Sequence, residues 1–394
     1  MALSYDDVLS LISIQTVVLL VFLIILALWL LKSDNNFPPG PRGWPIVGSM
    51  PYMFGEPHET FEKWTRIYGD IFTVKLGSEP VVILNSSDVV KEALNSNGDK
   101  FIDRPLLPIL KLGYTVKGGV IFVNGHPWLE LRRWSSSFLR DYCHGKKGSL
   151  GRQLNLESQL TIEAEHLCQE FGKHEKPFNP FHYINNAVSN VITAVCFGDR
   201  YEYSDPKYKE LLEGIRYLLK CSGFITPLQN EVDEVIGQKK PKWSDRHSMP
   251  YLEATIMEIQ RLGNVTPFFG RSTTGDVKIS GYTIPADTTV LINLFSVHRH
   301  AEKWERPLNF EPERFLSGDL KTIRKQEPFL PFGLGRRLCI GDLMSRMEVF
   351  LFTANLIQRF DFKVPERRCA PSVNDCLPGL TRRPKPFEIC ATRR

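Results

Sequence analysis

The residues best placed to do chemistry lie in one short run, Pro331–Gly341, which reads PFGLGRRLCIG. Its cysteine, Cys339, follows Arg336 and Arg337 and precedes a long apolar stretch that begins near Asp342. A cysteine binds a metal as the thiolate, and cationic neighbours, a metal ion and the positive end of a helix each favour that form. Gly333, Gly335 and Gly341 carry no Cβ, so the backbone can come close to a flat ligand. The spacing is therefore compatible with a thiolate placed where a glycine-rich loop runs into a helix. A bare G-x-x-x-C-x-G also arises as a loop holding an incidental cysteine. The fuller pattern F-x-x-G-x-R-x-C-x-G, filled by Phe332, Gly335, Arg337, Cys339 and Gly341, is far more restrictive.

Three further groupings have spacings that matter. Glu258 and Arg261 stand three apart on a helical pattern, where they share a face and can pair. Trp128 and Arg132 stand four apart and also point along one helical face. Phe310–Phe315 reads FEPERF and contributes Arg314. Taken singly, each of these arginines reads as a solvated surface residue whose ion pair contributes little.

Together and in this order, the segments resemble the cytochromes P-450, most closely the microsomal drug- and lipid-oxidising group often called family 2. The resemblance covers nearly the whole chain after the first forty residues. It includes Phe101–Pro105 (FIDRP), Phe178–Gly198 and Ile279–Asn293. It implies bound haem b with Cys339 as iron ligand and catalytic centre. It further implies that Trp128, Arg132 and Arg337 hold the haem propionates and that Phe332 belongs to the haem-binding loop. Arg271 matches a propionate position more loosely, because close family members often carry histidine there. Glu258, Arg261 and Arg314 correspond to a buried structural network. The implied reaction is insertion of one oxygen atom of O2 into an apolar lipid, steroid or xenobiotic. Electrons would come from NADPH–cytochrome reductase, with cytochrome b5 as a further partner. Arg132, Arg133, Arg140, Lys146, Lys147 and Arg336 are candidates for the docking face. By the same analogy, residues 106–123, 265–269 and 377–381 would contact substrate.

One part of the family pattern is missing. A long central helix carrying an acid–threonine pair should separate the segment at Tyr208–Leu219 from the one at Glu231–Gly237. Only Lys220–Asn230 (KCSGFITPLQN) occupies that space, and Gly223 and Pro227 should interrupt any helix there. The absent material amounts to three or four helices, on the order of a hundred residues. The similar-looking Ala286–Thr289 (ADTT) follows a proline and precedes a β-rich run, so it reads as a turn leading into a strand. The alternative function is therefore an inactive, splice-type isoform, either a membrane-anchored haem binder or a competitor for the reductase.

The remaining sequence sets the frame for these residues. Residues 11–31 contain no charge and are long enough for a bilayer core of ~30 Å. Asp6 and Asp7 precede them, and Lys32 and Arg42 follow, which places the body of the chain in the cytoplasm. The expected organisation is a lumenal segment 1–10, a transmembrane anchor 11–31, a proline-rich linker 32–49 and a haem domain 50–394 with an internal deletion near 220–230. The expected location is the endoplasmic reticulum membrane, with a single pass. Helical patterns dominate the body, at Glu59–Tyr68, Asp88–Ser96, Trp128–Arg140, Leu156–Phe171, Ile184–Cys196, Tyr208–Leu219, Pro250–Arg261 and Asp342–Arg359. Short β-rich runs lie at Ile71–Leu76, Pro80–Leu84 and Thr288–Leu294. The fold class is mainly α with small β-sheets. Over 394 residues the net charge of +5 is modest, which does not suggest a nucleic-acid binder and fits a basic face toward an acidic partner or membrane surface. Eight cysteines without a C-x-x-C pair exclude a zinc ribbon and a disulfide scaffold, and most read as small buried hydrophobes.

Overall fold

The computed structural model of the protein describes residues 14–31, 37–54, 57–105, 119–145, 155–197, 222–370, 376–377 and 381–394. Helix α1 covers Ile14–Leu31, and its described side chains from Val17 to Ile25 are all exposed. Among the described residues no helix is long and apolar enough to cross a membrane. The described side chains of α1 cover only part of the expected span.

A small sheet organises the N-terminal part. Helix α2 (Pro57–Tyr68) leads into strands β1 (Ile71–Leu76) and β2 (Glu79–Leu84), which pair antiparallel around a turn at Gly77. Helix α3 (Ser87–Lys91) follows and continues as a wider turn through Ser96. Two strands from much later in the chain complete the sheet: β3 (Phe268–Ser272) and β6 (Thr289–Asn293), in the order β1-β2-β6-β3. Between them β4 (Val277–Ile279) and β5 (Tyr282–Ile284) form a hairpin. The expected turn at Ala286–Thr289 is present. Asp287 adopts a left-handed φ of 58° and the chain then joins β6, parallel to β2.

Helices make up the rest of the core. They are α4 (Gly125–Cys143), α5 (Leu156–Phe171), α6 (Phe181–Phe197), α7 (Ser222–Val235), α8 (Pro250–Gly263) and α9 (Asp342–Arg359). As its sequence implied, α9 is apolar on nearly every side. Met344, Met347, Phe350, Leu351, Phe352, Ala354, Leu356 and Ile357 are all buried, and the helix packs against α5, α7 and α8. Each fully buried large apolar side chain contributes about 1.5–3 kcal/mol, so α9 is held by packing far more than by helix propensity. Strand β7 (Phe360–Lys363) continues directly from α9 and pairs with β10 (Cys390–Arg393). A second short pair is β8 (Cys376–Leu377) with β9 (Arg383–Pro384).

Two expectations need correction. Gly223 and Pro227 do not interrupt a helix: α7 runs through both, with Pro227 inside it. An interior proline costs about 3 kcal/mol. Here tertiary contacts offset that cost. Leu228 and Val232 are fully buried, and Gln229 bonds Asp361 at 2.8 Å. Glu231 accepts from the amides of Tyr251 and Leu252, at 2.8 and 2.7 Å, at the start of α8. The cysteines are also less uniform than expected. Among those described, only Cys168 and Cys376 are buried, whereas Cys196, Cys339 and Cys369 are exposed. The expected helix at Tyr208–Leu219 lies outside the described residues, as does Cys221.

Candidate haem-binding site

The loop from Pro331 to Gly341 is folded back on itself. Cys339 N–H donates to the Phe332 carbonyl at 3.1 Å, and Leu338 N–H donates to Gly335 at 3.0 Å. Gly335 sits at φ +76°, and a Cβ there would lie 2.4 Å from the Leu94 carbonyl oxygen. That glycine is thus required by packing against the turn after α3, a reason distinct from access for a ligand. A short turn, Gly335–Arg337, then delivers Cys339 just ahead of α9, whose N-cap is Gly341. Cys339 is exposed and takes no part in a disulfide. The Arg132 guanidinium is within electrostatic reach of the sulfur and donates to the Leu338 carbonyl at 2.6 Å. Phe332 lies under the guanidinium of Arg346, 5.0 Å away.

The structure gathers the three expected arginines from distant parts of the chain. Arg132 comes from α4, Arg271 from β3 and Arg337 from the cysteine loop. Arg104, from the FIDRP segment, joins them; sequence spacing gave it no role. Trp128 is buried on α4, and the Arg337 guanidinium stacks 4.0 Å above its ring. Arg104 Nη1 donates to Gly270 O at 2.9 Å, next to Arg271. Burial, then the charges of Arg104, Arg337 and Arg132, push Arg271 down to about 8. Burial brings Arg104 and Arg337 down to about 10, with Asp103 offsetting part of the effect at Arg337. Arg132 is lowered by burial and raised by Cys339.

No ion pair joins any of these four arginines to a carboxylate among the described residues, and Arg104 Nε is buried without a hydrogen-bond partner. Several mutually repelling, desolvated cations beside a thiolate loop are costly unless an anionic ligand completes them. Haem b fits on both counts, because its two propionates supply the counter-charge and its iron accepts the sulfur. Arginine is also suited to fork-like pairing with carboxylates, which makes Arg271 a sensible replacement for histidine.

This charge balance gives a test of Arg271. Its folded-state value of about 8 lies below the ordinary arginine range, so the buried charge destabilises the haem-free fold. A guanidinium keeps its proton, so this cost is carried throughout the accessible pH range. Arg271→Met should therefore stabilise the haem-free chain at pH 7 by about 1–4 kcal/mol. Haem should be retained less well by the same variant. Urea titration with and without haem measures both, and a loss of stability in the haem-free variant would reject the assignment.

The other expected residues are more dispersed. Arg133 and Arg140 are exposed on α4, while Arg336 pairs with Asp99. Lys146, Lys147 and most of 106–123 lie outside the described residues. Of the remaining substrate-contact candidates, Phe269 approaches Gly333 of the loop and lies 4.5 Å from the Arg271 guanidinium. The structural network is assembled as the resemblance implied. Arg261 binds both oxygens of Glu258, at 2.7 and 2.8 Å, and Arg314 reaches Glu258 at 3.1 Å.

Comparison with known proteins agrees with this geometry. The sequence model of the cytochrome P450 family matches residues 38–226 and, separately, 217–391. Cytochrome P450 2D20 of Mesocricetus auratus is 31% identical over 91% of this chain and 93% of its own length. Cytochrome P450 2D26 of Rattus norvegicus is 32% identical with the same coverage, and human cytochrome P450 2D6 is 30% identical over 94% of this chain and 98% of its own. The alignment to the hamster protein spans 476 positions, whereas 91% of 394 residues is only about 359, so more than a hundred positions have no residue of this chain. A cysteine loop at the head of a buried helix, an arginine cluster without ion pairs among the described residues and similarity along almost the full length converge on one assignment: this chain belongs to the cytochrome P450 family of haem b monooxygenases.

Proposed function

We propose that the chain is a haem-thiolate monooxygenase of the endoplasmic reticulum membrane that inserts one oxygen atom of O2 into an apolar lipid, steroid or xenobiotic. Its electrons come from NADPH–cytochrome reductase, with cytochrome b5 as a second donor. The observation that carries this reading is the meeting of Cys339 with Arg104, Arg132, Arg271 and Arg337. Bound haem b supplies a redox-active iron, and a thiolate ligand favours O–O cleavage. Within the protein, Cys339 provides that ligand, Arg132 lies beside it, and Trp128 supports Arg337 from below. Arg133 and Arg140, exposed on α4, offer positive charge to a redox partner. The exposed apolar side chains of α1 support an N-terminal anchor, residues 11–31, with Lys32 and Arg42 keeping the body on the cytoplasmic side.

A specific observation favours a second reading. Over a hundred aligned positions are absent here, and the family match restarts at residue 217. These fit an internal deletion near residues 220–230 that removes the central helix and its acid–threonine pair. Without that wall, water reaches the iron, whereas a dry, shaped cavity is part of metal catalysis. The chain is then an inactive isoform, a membrane-anchored haem binder or a competitor for the reductase. Full-length protein in vesicles with reductase separates the two readings. Both require the carbon monoxide spectrum of thiolate-ligated haem after reduction. NADPH-driven product formation supports the first, and the spectrum without NADPH-driven product formation supports the second. Absence of the spectrum rejects both.

A further inference from the structure

We infer that Asn124 is a positioning residue that sets the geometry of the carboxylate-binding arginines. This rests on the reading of the arginine cluster as the haem propionate site. Asn124 is the residue immediately before α4, and its side chain makes no capping bond to that helix. Its amide points elsewhere. Oδ1 accepts from the backbone N–H of Arg104 at 2.9 Å and from Arg337 Nη2 at 3.1 Å. Nδ2 donates to the backbone carbonyl of Arg104 at 2.9 Å. A single primary amide thus fastens both backbone polar groups of Arg104 and one arm of Arg337.

Its place in the chain widens that effect. Asn124 leads directly into the helix that carries Trp128 and Arg132. Arg337 stacks on Trp128, and Arg104 reaches Gly270 beside Arg271. Segments separated by 20 and by 213 residues are therefore held in register through this side chain. The surrounding bonds leave Arg337 little freedom. It also donates to the carbonyls of Ile102 and Val123, at 2.7 and 2.8 Å. All its acceptors are neutral, so Asn124 orients the guanidinium without cancelling its charge. That distinction matters for anion binding. An aspartate could make the same accepting contacts, but it would neutralise the cation that a propionate needs.

The test uses the full chain loaded with haem or with haem dimethyl ester, whose propionates carry no charge. The rate of pigment loss to an excess of a haem-scavenging apoprotein is measured for each. The native chain should hold the free acid more tightly than the ester. Asn124→Ala should speed loss of the free acid by about tenfold, the scale of a hydrogen bond to a charged group, and barely change loss of the ester. Asn124→Asp, which preserves the accepting contacts, should fold and should also lose the preference for the free acid. Equal acceleration for both pigments in Asn124→Ala, or an undiminished preference in Asn124→Asp, would overturn the inference about Asn124. A native chain that binds both pigments equally well would instead reject the arginine cluster as the propionate site. One that binds neither would reject the haem reading altogether.

Discussion

Cys339→Ser should abolish the carbon monoxide spectrum of thiolate-ligated haem completely, while Cys143→Ser should leave it intact. The expectation comes from the contrast between the two sulfurs. Cys339 is exposed where the loop meets α9, close to the Arg132 guanidinium. Cys143 is half-buried at the far end of α4, where burial pushes its thiol up to about 11. Serine in place of Cys339 keeps the loop bonds, because both are made by the backbone: the 339 amide to Phe332 and the 338 amide to Gly335. The variant should therefore remain folded by circular dichroism. Retention of the thiolate spectrum in Cys339→Ser would remove the basis of the assignment.

The second large effect concerns folding. Glu258 is fully buried and accepts from Arg261, Arg314 and the backbone amide of Glu311. Arg261 is fully buried too, and its remaining hydrogens go to the carbonyls of His298, Pro307 and Asn309. Its guanidinium also lies 5.0 Å above the Trp304 ring. Removing the carboxylate leaves a desolvated cation facing carbonyls alone. Glu258→Ala should cost about 3–5 kcal/mol, the usual penalty for breaking a buried pair. Domain stabilities of about 5–15 kcal/mol leave little after such a loss. Glu258→Gln keeps an acceptor and should lose less. Denaturant midpoints of the two variants decide the matter, and a loss below about 1 kcal/mol in Glu258→Ala would mean that the network is not structural.

Much of this site could be read from the sequence, and the reason is distance along the chain. Phe332, Arg337 and Cys339 share one loop, and Glu258 with Arg261 share one helical turn. Short spacings translate directly into geometry. Arg104 and Asn124 were not visible in this way. Their partners Gly270 and Arg337 lie 166 and 213 residues away, and no local pattern encodes such a meeting. The sheet shows the same limit. The β-rich runs were evident, but the insertion of β6 between β2 and β3 was not. Pro227 shows the opposite failure, in which a sound local rule yields to burial of Leu228 and Val232 on the same helix. Gly335 was recognised as necessary, but the backbone it must clear is that of Leu94, which only the fold could reveal.

The carboxylate of Glu231 has a wider consequence. By bonding the first amides of α8 it couples α7 to the helix bearing Glu258, and Arg394 binds both oxygens of Asp233 on α7, bringing in the last strand. Two carboxylates thus tie α7 to the start of α8 and to the last described residue of the chain. A change of chain length just ahead of α7 would leave these two clamps intact, whereas the cysteine loop would still depend on residues 102, 123, 124 and 132 far upstream.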